Sequence, residues 1–272
     1  MPKKKAAGAA NAVDLSQVQV CVDRPIEPAK LLIAAELAIK ENPENAPPPM
    51  EVKPGVDPQA AKKASETFGA VLTGKKWKNG RVLRVRHLDG NPAVLTRVEK
   101  FAREWCTYAN IDIQFVKTGD AEIRVSYLLD NRSWSYLGTD ALAQPQNRHT
   151  MHFGWLTPAT QDNEYSRVVI HEFGHALGLV HEHQNPKVSI KWNKPVVYQY
   201  YMQQLGWTKA DVDTNLFAHY SEQETQFPVY DPKSIMHYAV PPQFTLDGKE
   251  VGWNRVLSDI DKKYIAKVYP KP

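Results

Sequence analysis

Between residues 81 and 129 the apolar positions switch between two periods. RVLRVRHL at 81–88 alternates residue by residue, as a strand with one buried face does. GNPAVLTRVEKFAREWCTYAN at 90–110 repeats at helical spacing instead. Val94, Val98, Phe101, Trp105 and Ala109 share one face, with Asn91 placed to cap the helix and Pro92 to open it. IDIQFV (111–116), EIRVSYLL (122–129) and RHTMHFGW (148–155) return to strand-like patterns. YSRVVIHEFGHALGLV at 165–180 predicts a long helix, and the 194–206 and 208–217 stretches predict shorter ones. The last expected helix is SDIDKKYIAKVY at 258–269. This order, followed by a mostly irregular half, points to an α+β domain over 76–272.

Residues 1–75 differ in texture. EPAKLLIAAELAIKEN (27–42) predicts a short helix, PENAPPPMEVKPGVDP (43–58) a proline-rich connector, and PQAAKKASETFGAVLTG (58–74) a second helix. Neither helix brings a large core, so 1–75 is expected to be an N-terminal segment and linker.

Composition narrows the function classes. The chain has 272 residues, 42% hydrophobic and 24% charged, as in ordinary soluble proteins. Its net charge of +4 is mild, and the one tight basic cluster, Lys3 to Lys5, reads as a solvated tail, so no nucleic-acid partner is expected. No apolar run reaches the 18 or so residues of a membrane span; LLIAAELAI at 31–39 is short and interrupted by Glu36. The basic start has no hydrophobic segment behind it, so no signal peptide is read. Two cysteines, Cys21 and Cys106, allow at most one internal disulfide.

The chemistry lies in HEFGHALGLVHEH at 171–183. On a helix His171 and His175 lie one turn apart on one face, with Glu172 beside them. That arrangement lets two imidazoles bind zinc while the carboxylate acts as general base. Gly178 lets the chain leave the helix so that His181 can return as the third ligand.

HEFGHALGLVH resembles the zinc motif of the metzincin metallopeptidases, and Glu182 supplies the ending typical of the astacin family. The resemblance calls for a methionine turn of the form S-x-M-H-Y further along, and SIMHY stands at 234–238. It covers about 76–272 and implies a metzincin-type catalytic domain. That domain would have a twisted mixed sheet, an active-site helix and one zinc per chain. It implies a monomeric, secreted endopeptidase acting on proteins or peptides. The cysteine count is the departure: astacin domains usually carry two disulfides, and 76–272 holds only Cys106. The chain is therefore similar to a disulfide-poor branch.

The resemblance also sorts the residues. His171, His175 and His181 would be ligands and Glu172 the base. Tyr238 would be the tyrosine that binds zinc at rest, swings away when substrate enters and donates to the oxyanion, and Met236 a packing residue beneath the metal. Glu182 is expected to be structural and salt-bridged, His237 structural, and His183 an ordinary polar residue near the rim. RHTMHFGWL (148–156) is expected to form an exposed edge strand to which a substrate adds as an antiparallel strand. The alternative function is a zinc-binding interaction module without catalysis, against which the intact Glu172 speaks.

Residues 1–75 are expected to be a removable prosegment. The F-x-G-D motif of astacin proenzymes is absent. Cys21 is a candidate latent-state zinc ligand, since a thiolate binds zinc well. Arg24 would pair with a cleft carboxylate. Asp23 as the plug, or a Cys21–Cys106 disulfide, remain open at this point.

Overall fold

The computed structural model describes residues 20–22, 24–47, 74–220 and 229–272. The expected helix at 58–74 and the candidate plug Asp23 lie outside the described residues. The expected α+β class holds. Among the described residues, six strands form one sheet: β1 (Val20–Cys21), β2 (Val82–His87), β3 (Asp112–Phe115), β4 (Ile123–Ser126), β5 (Arg132–Ser135) and β6 (Met151–Phe153). Their order is β1-β5-β6-β4-β2-β3. All neighbours run parallel except β5 and β6, which pair antiparallel.

This order corrects the edge-strand expectation. The 148–156 stretch supplies β6, an internal strand bonded on both sides by β5 and β4. The alternation of RHTMHFGW shows which side chains face together, not which strand is outermost. Within residues 74–220 the edge strand on this side is β5, and β1 from the N-terminal segment is paired along it, Val20 opposite Arg132 and Cys21 opposite Ser133.

Two helices pack against each other, and the second of them lies against the sheet at β5 and β6. α2 (Pro92–Ala102) is capped by Asn91, which accepts from the Ala93 amide, and a 3₁₀ turn continues it to Thr107. α3 (Asp162–Ala176) starts three residues earlier than its periodic pattern, with Asp162 and Glu164 in the first turn, where acidic groups suit the helix dipole. Its C-terminal end is built in by side chains. Trp105 Nε1 donates to the Ile170 carbonyl, Trp77 Nε1 to that of Ala176, and Tyr269 Oη to that of Leu177. The rest of the chain carries α4 (Lys194–Leu205), α5 (Lys209–Val212) with a π turn at Asp213–Phe217, and α6 (Asp259–Val268).

The N-terminal helix, α1 (Leu31–Glu41), turns Ala34, Ala35 and Ala38 against the 3₁₀ turn Gly138–Ala143. Asn45 then clamps the chain that enters the catalytic domain. Its amide donates to the carbonyls of Ala38 and Lys76, and its carbonyl oxygen accepts from the Lys76 amide. The segment therefore contributes packing as well as length.

Candidate metal centre and cleft

α3 places His171 and His175 on one face, as i and i+4 spacing requires. After Leu177 the helix stops, because Gly178 adopts a positive φ of 93° that residues with a Cβ rarely take. The chain turns back and brings the buried His181 opposite the helix. The three Nε2 atoms lie 3.2, 3.2 and 3.0 Å apart.

The pattern of protons makes this a cation site. His171 Nδ1 faces the Ile235 carbonyl at 2.8 Å and His175 Nδ1 the Leu179 carbonyl at 2.7 Å. A carbonyl can only accept, so each Nδ1 carries the proton and each Nε2 presents a lone pair. Lone pairs converging at about 3 Å repel one another unless an electron-pair acceptor sits among them. A tetrahedron with Zn–N bonds of about 2.0–2.1 Å has edges of roughly 3.3–3.4 Å, so the donor set fits zinc. Burial and the neighbouring His175 and His181 rings hold His171 well below the usual histidine range, in the neutral form a ligand needs.

The methionine turn lies beneath. Asp261, in the first turn of α6, accepts from Ser234 Oγ at 2.6 Å and from the Ile235 amide at 2.8 Å. The Glu182 amide donates to the Met236 carbonyl, which joins the third histidine's segment to the turn. Met236 is buried and abuts Gly174 so closely that a Cβ there would overlap its sulfur. That explains a glycine in mid-helix between His171 and His175.

Two neighbours differ from expectation. Glu182 is buried but has no ion pair among the described residues. It accepts instead from the Asp231 amide and from Asn185 Nδ2, and burial raises its carboxyl to about 7. His183 is not at the rim: it is buried behind Tyr238. His237 was expected to be structural. It lies between the Tyr238 carbonyl and Tyr230 Oη, and burial lowers it to about 4.

The N-terminal segment occupies the cleft. One donor atom each from Cys21, His171 and Glu172 lie within 4.8 Å of one another. Tyr238 Oη donates to the Cys21 carbonyl. Burial and the Glu172 charge push the Cys21 thiol well above its usual range. Cys21 and Cys106 are both free, which excludes the disulfide alternative in this structure. Cys106 packs against the core as a small residue. Arg24 lies over the Trp134 ring at 4.9 Å rather than on a carboxylate, so its described partner is aromatic. Beyond it, Tyr136 Oη and Gln144 Nε2 donate to the two oxygens of Glu27. Sequence reasoning missed Trp134, Tyr136 and Gln144. The aromatic run WSY at 134–136 was the available signal, but RSWS is too short and polar to announce a strand.

Residues 72–269 match the family described as Astacin (Peptidase family M12A). The chain belongs to the astacin family. It is a zinc metalloendopeptidase, a hydrolase of peptide bonds. A solved structure of myroilysin is 50% identical, with a TM-score of 0.71 over 73% of this chain and 97% of that one. A second myroilysin crystal structure is 48% identical, with a TM-score of 0.59 over 72% and 86%. The zinc-protease hatching enzyme HCE-1 of the medaka fish Oryzias latipes, at 18% identity, has a TM-score of 0.50 over 75% and 96% and shares the fold. No curated protein matches the chain.

Proposed function

We propose that this astacin-family enzyme hydrolyses internal peptide bonds with Glu172 as general base and Tyr238 as hydrogen-bond donor to the developing oxyanion. His171, His175 and His181 hold one zinc per chain, and residues 1–75 form a prosegment that keeps the enzyme latent. The carrying observation is the placement of Cys21. Its side chain sits beside Glu172 and His171 while its carbonyl accepts the Tyr238 proton, much as a peptide bond in the cleft would.

Bound at the three imidazoles, zinc supplies Lewis acidity that polarises a carbonyl and brings the pKa of water to about 7. Glu172, fully buried at the same point, takes the proton from water during attack and returns it to the leaving amine. Tyr238 Oη follows the carbonyl oxygen as it gains charge, a donation worth about 3–4 kcal/mol in comparable sites. The β5 edge gives an extended substrate backbone partners that do not depend on side chains. That favours internal cleavage of protein or peptide substrates.

Cys21 supports latency in two ways. Its sulfur stands where water would meet Glu172, and a thiolate is a strong zinc ligand. Its own strand, β1, covers the β5 edge. Secretion is part of this reading, and no helix among the described residues is long and apolar enough to cross a membrane. The test is Glu172→Gln, assayed on an end-blocked fluorogenic peptide with zinc measured in parallel. The expected result is a kcat lower by about 10²–10⁴ with zinc retained. Unchanged hydrolysis would exclude the base assignment, and loss of zinc would show that Glu172 acts through the metal site's structure.

A further inference from the structure

The fourth histidine of the motif has no place in the ligand set, yet it is among the most buried polar residues of the molecule, at 1% exposure. Its ring stacks on Tyr238 with centroids 4.4 Å apart and planes 29° from parallel. His181 meets the same phenol ring at 62°, again with centroids 4.4 Å apart. Tyr238 is therefore in contact with one imidazole of the proposed ligand set and with one outside it.

His183 is itself held in place. Its Nε2 donates to the Asn215 carbonyl at 2.8 Å, and Asn215 Nδ2 donates to the Asp211 carbonyl at 2.8 Å. The next residue, Gln184, donates from Nε2 to the Thr214 carbonyl at 2.8 Å. All three acceptors belong to α5 and the π turn that follows it. A π turn is a costly piece of backbone that persists where surrounding contacts fix it, often beside functional sites. Here it supplies the carbonyl that orients His183.

We infer that His183 is a positioning residue for Tyr238: it fixes the plane of the phenol so that the hydroxyl points into the cleft at the carbonyl oxygen. The inference rests on the donor role proposed above for Tyr238. The hydroxyl lies on the ring's own axis, so it is a swing of the whole ring about χ1, by about 10°, that moves it by about 1 Å. A misplacement of that size is enough to cost up to ~100-fold in rate. The stacked imidazole opposes that rotation. The observed bond from Tyr238 Oη to the Cys21 carbonyl shows the hydroxyl already aimed at a peptide oxygen in the cleft.

The experiment is a double-mutant cycle on enzyme prepared from the full chain and brought to constant activity by limited proteolysis. Tyr238→Phe alone should lower kcat by one to three decades. His183→Ala should lower kcat by about three- to tenfold, with KM within about twofold and zinc retained. Affinity for a phosphinic peptide, a tetrahedral mimic, should fall by the same factor as kcat. His183→Phe, which keeps a stacking ring, should recover most of the rate. His183→Gln, which keeps a donor toward Asn215 but no ring, should not. In the Tyr238→Phe background His183→Ala should cost less than about twofold, because the hydroxyl it positions is gone. An equal loss in both backgrounds would overturn the positioning role. A wild-type kcat in Tyr238→Phe would overturn the donor reading on which it rests, so the two failures are distinguishable.

Discussion

At the scale of single residues, four histidines in thirteen positions divide by what their Nδ1 and Nε2 atoms face. His171 and His175 spend Nδ1 on carbonyls and present Nε2 to a common centre; His183 spends Nε2 on Asn215 and presents its ring to Tyr238. His181→Ala should therefore strip zinc from the purified protein, while His183→Ala should leave one zinc per chain by atomic absorption. Equal zinc loss would sink the division. The clustering of His171, His175 and His181 was legible because i, i+4 spacing and a helix-ending glycine are local facts. The burial of His183 was not, since it depends on Asn215 and Tyr238, 32 and 55 residues away. The salt bridge expected of Glu182 is absent among the described residues for a related reason. A sequence shows the carboxyl but not whether ammonium or amide groups will surround it.

At the scale of elements, helices were read best because a 3.6-residue period repeats several times within each one. Short strands carry few repeats: β5 is four mostly polar residues and β1 only two, and both were missed. Contacts between elements were not readable at all, and Gly174 is a case in point. Alanine at an interior helix position normally gains about 1 kcal/mol over glycine. Here its Cβ would overlap Met236 Sδ and crowd Trp105, an overpacking that costs about 1–3 kcal/mol. Gly174→Ala should therefore lower Tm in thermal unfolding, and should cost less in a Met236→Ala background. A raised Tm would mean that the methionine turn yields freely.

The docking of α1 has a pH signature. Burial raises the Glu27 carboxyl, but the bonds from Gln144, its own backbone, Tyr136 and Lys30 outweigh burial and bring it from 4.5 to about 2. A group with a depressed docked pKa binds through its ionised form. Its contribution is whole above pH 4.5 and is lost as pH falls from there toward 2. Amide hydrogen exchange in Leu31–Glu41, corrected for intrinsic rates, should lose protection over that window. Glu27→Gln should flatten the dependence, and identical profiles for the two proteins would remove Glu27 from the docking.

At the scale of the whole molecule, the N-terminal segment touches the rest of the chain in two separable places, and the proposed latency assigns a role to each. Cys21 fills the position beside Glu172 and His171, and the unit from Glu27 to Asn45 fastens the segment to the Gly138–Ala143 turn and to the chain at 74–77. On the proposed latent reading, removing only the thiol would open the metal site but leave β1 on the β5 edge and a backbone carbonyl on Tyr238. The intact Cys21→Ala chain should therefore be more active than intact wild type, yet well below the processed enzyme. Ala38 is wholly buried on the docked face of α1. A carboxylate there, desolvated and without a partner, would cost several kcal/mol, enough to undock the helix. Intact Cys21→Ala/Ala38→Glu should then approach the processed enzyme in kcat/KM. The order of the three intact chains, measured on one peptide with integrity checked by mass, is the decisive reading. An intact wild type as active as the processed enzyme would end the case for latency. Full activity from Cys21→Ala alone would reduce the helical unit to a spectator, because the plug by itself would then account for the whole effect.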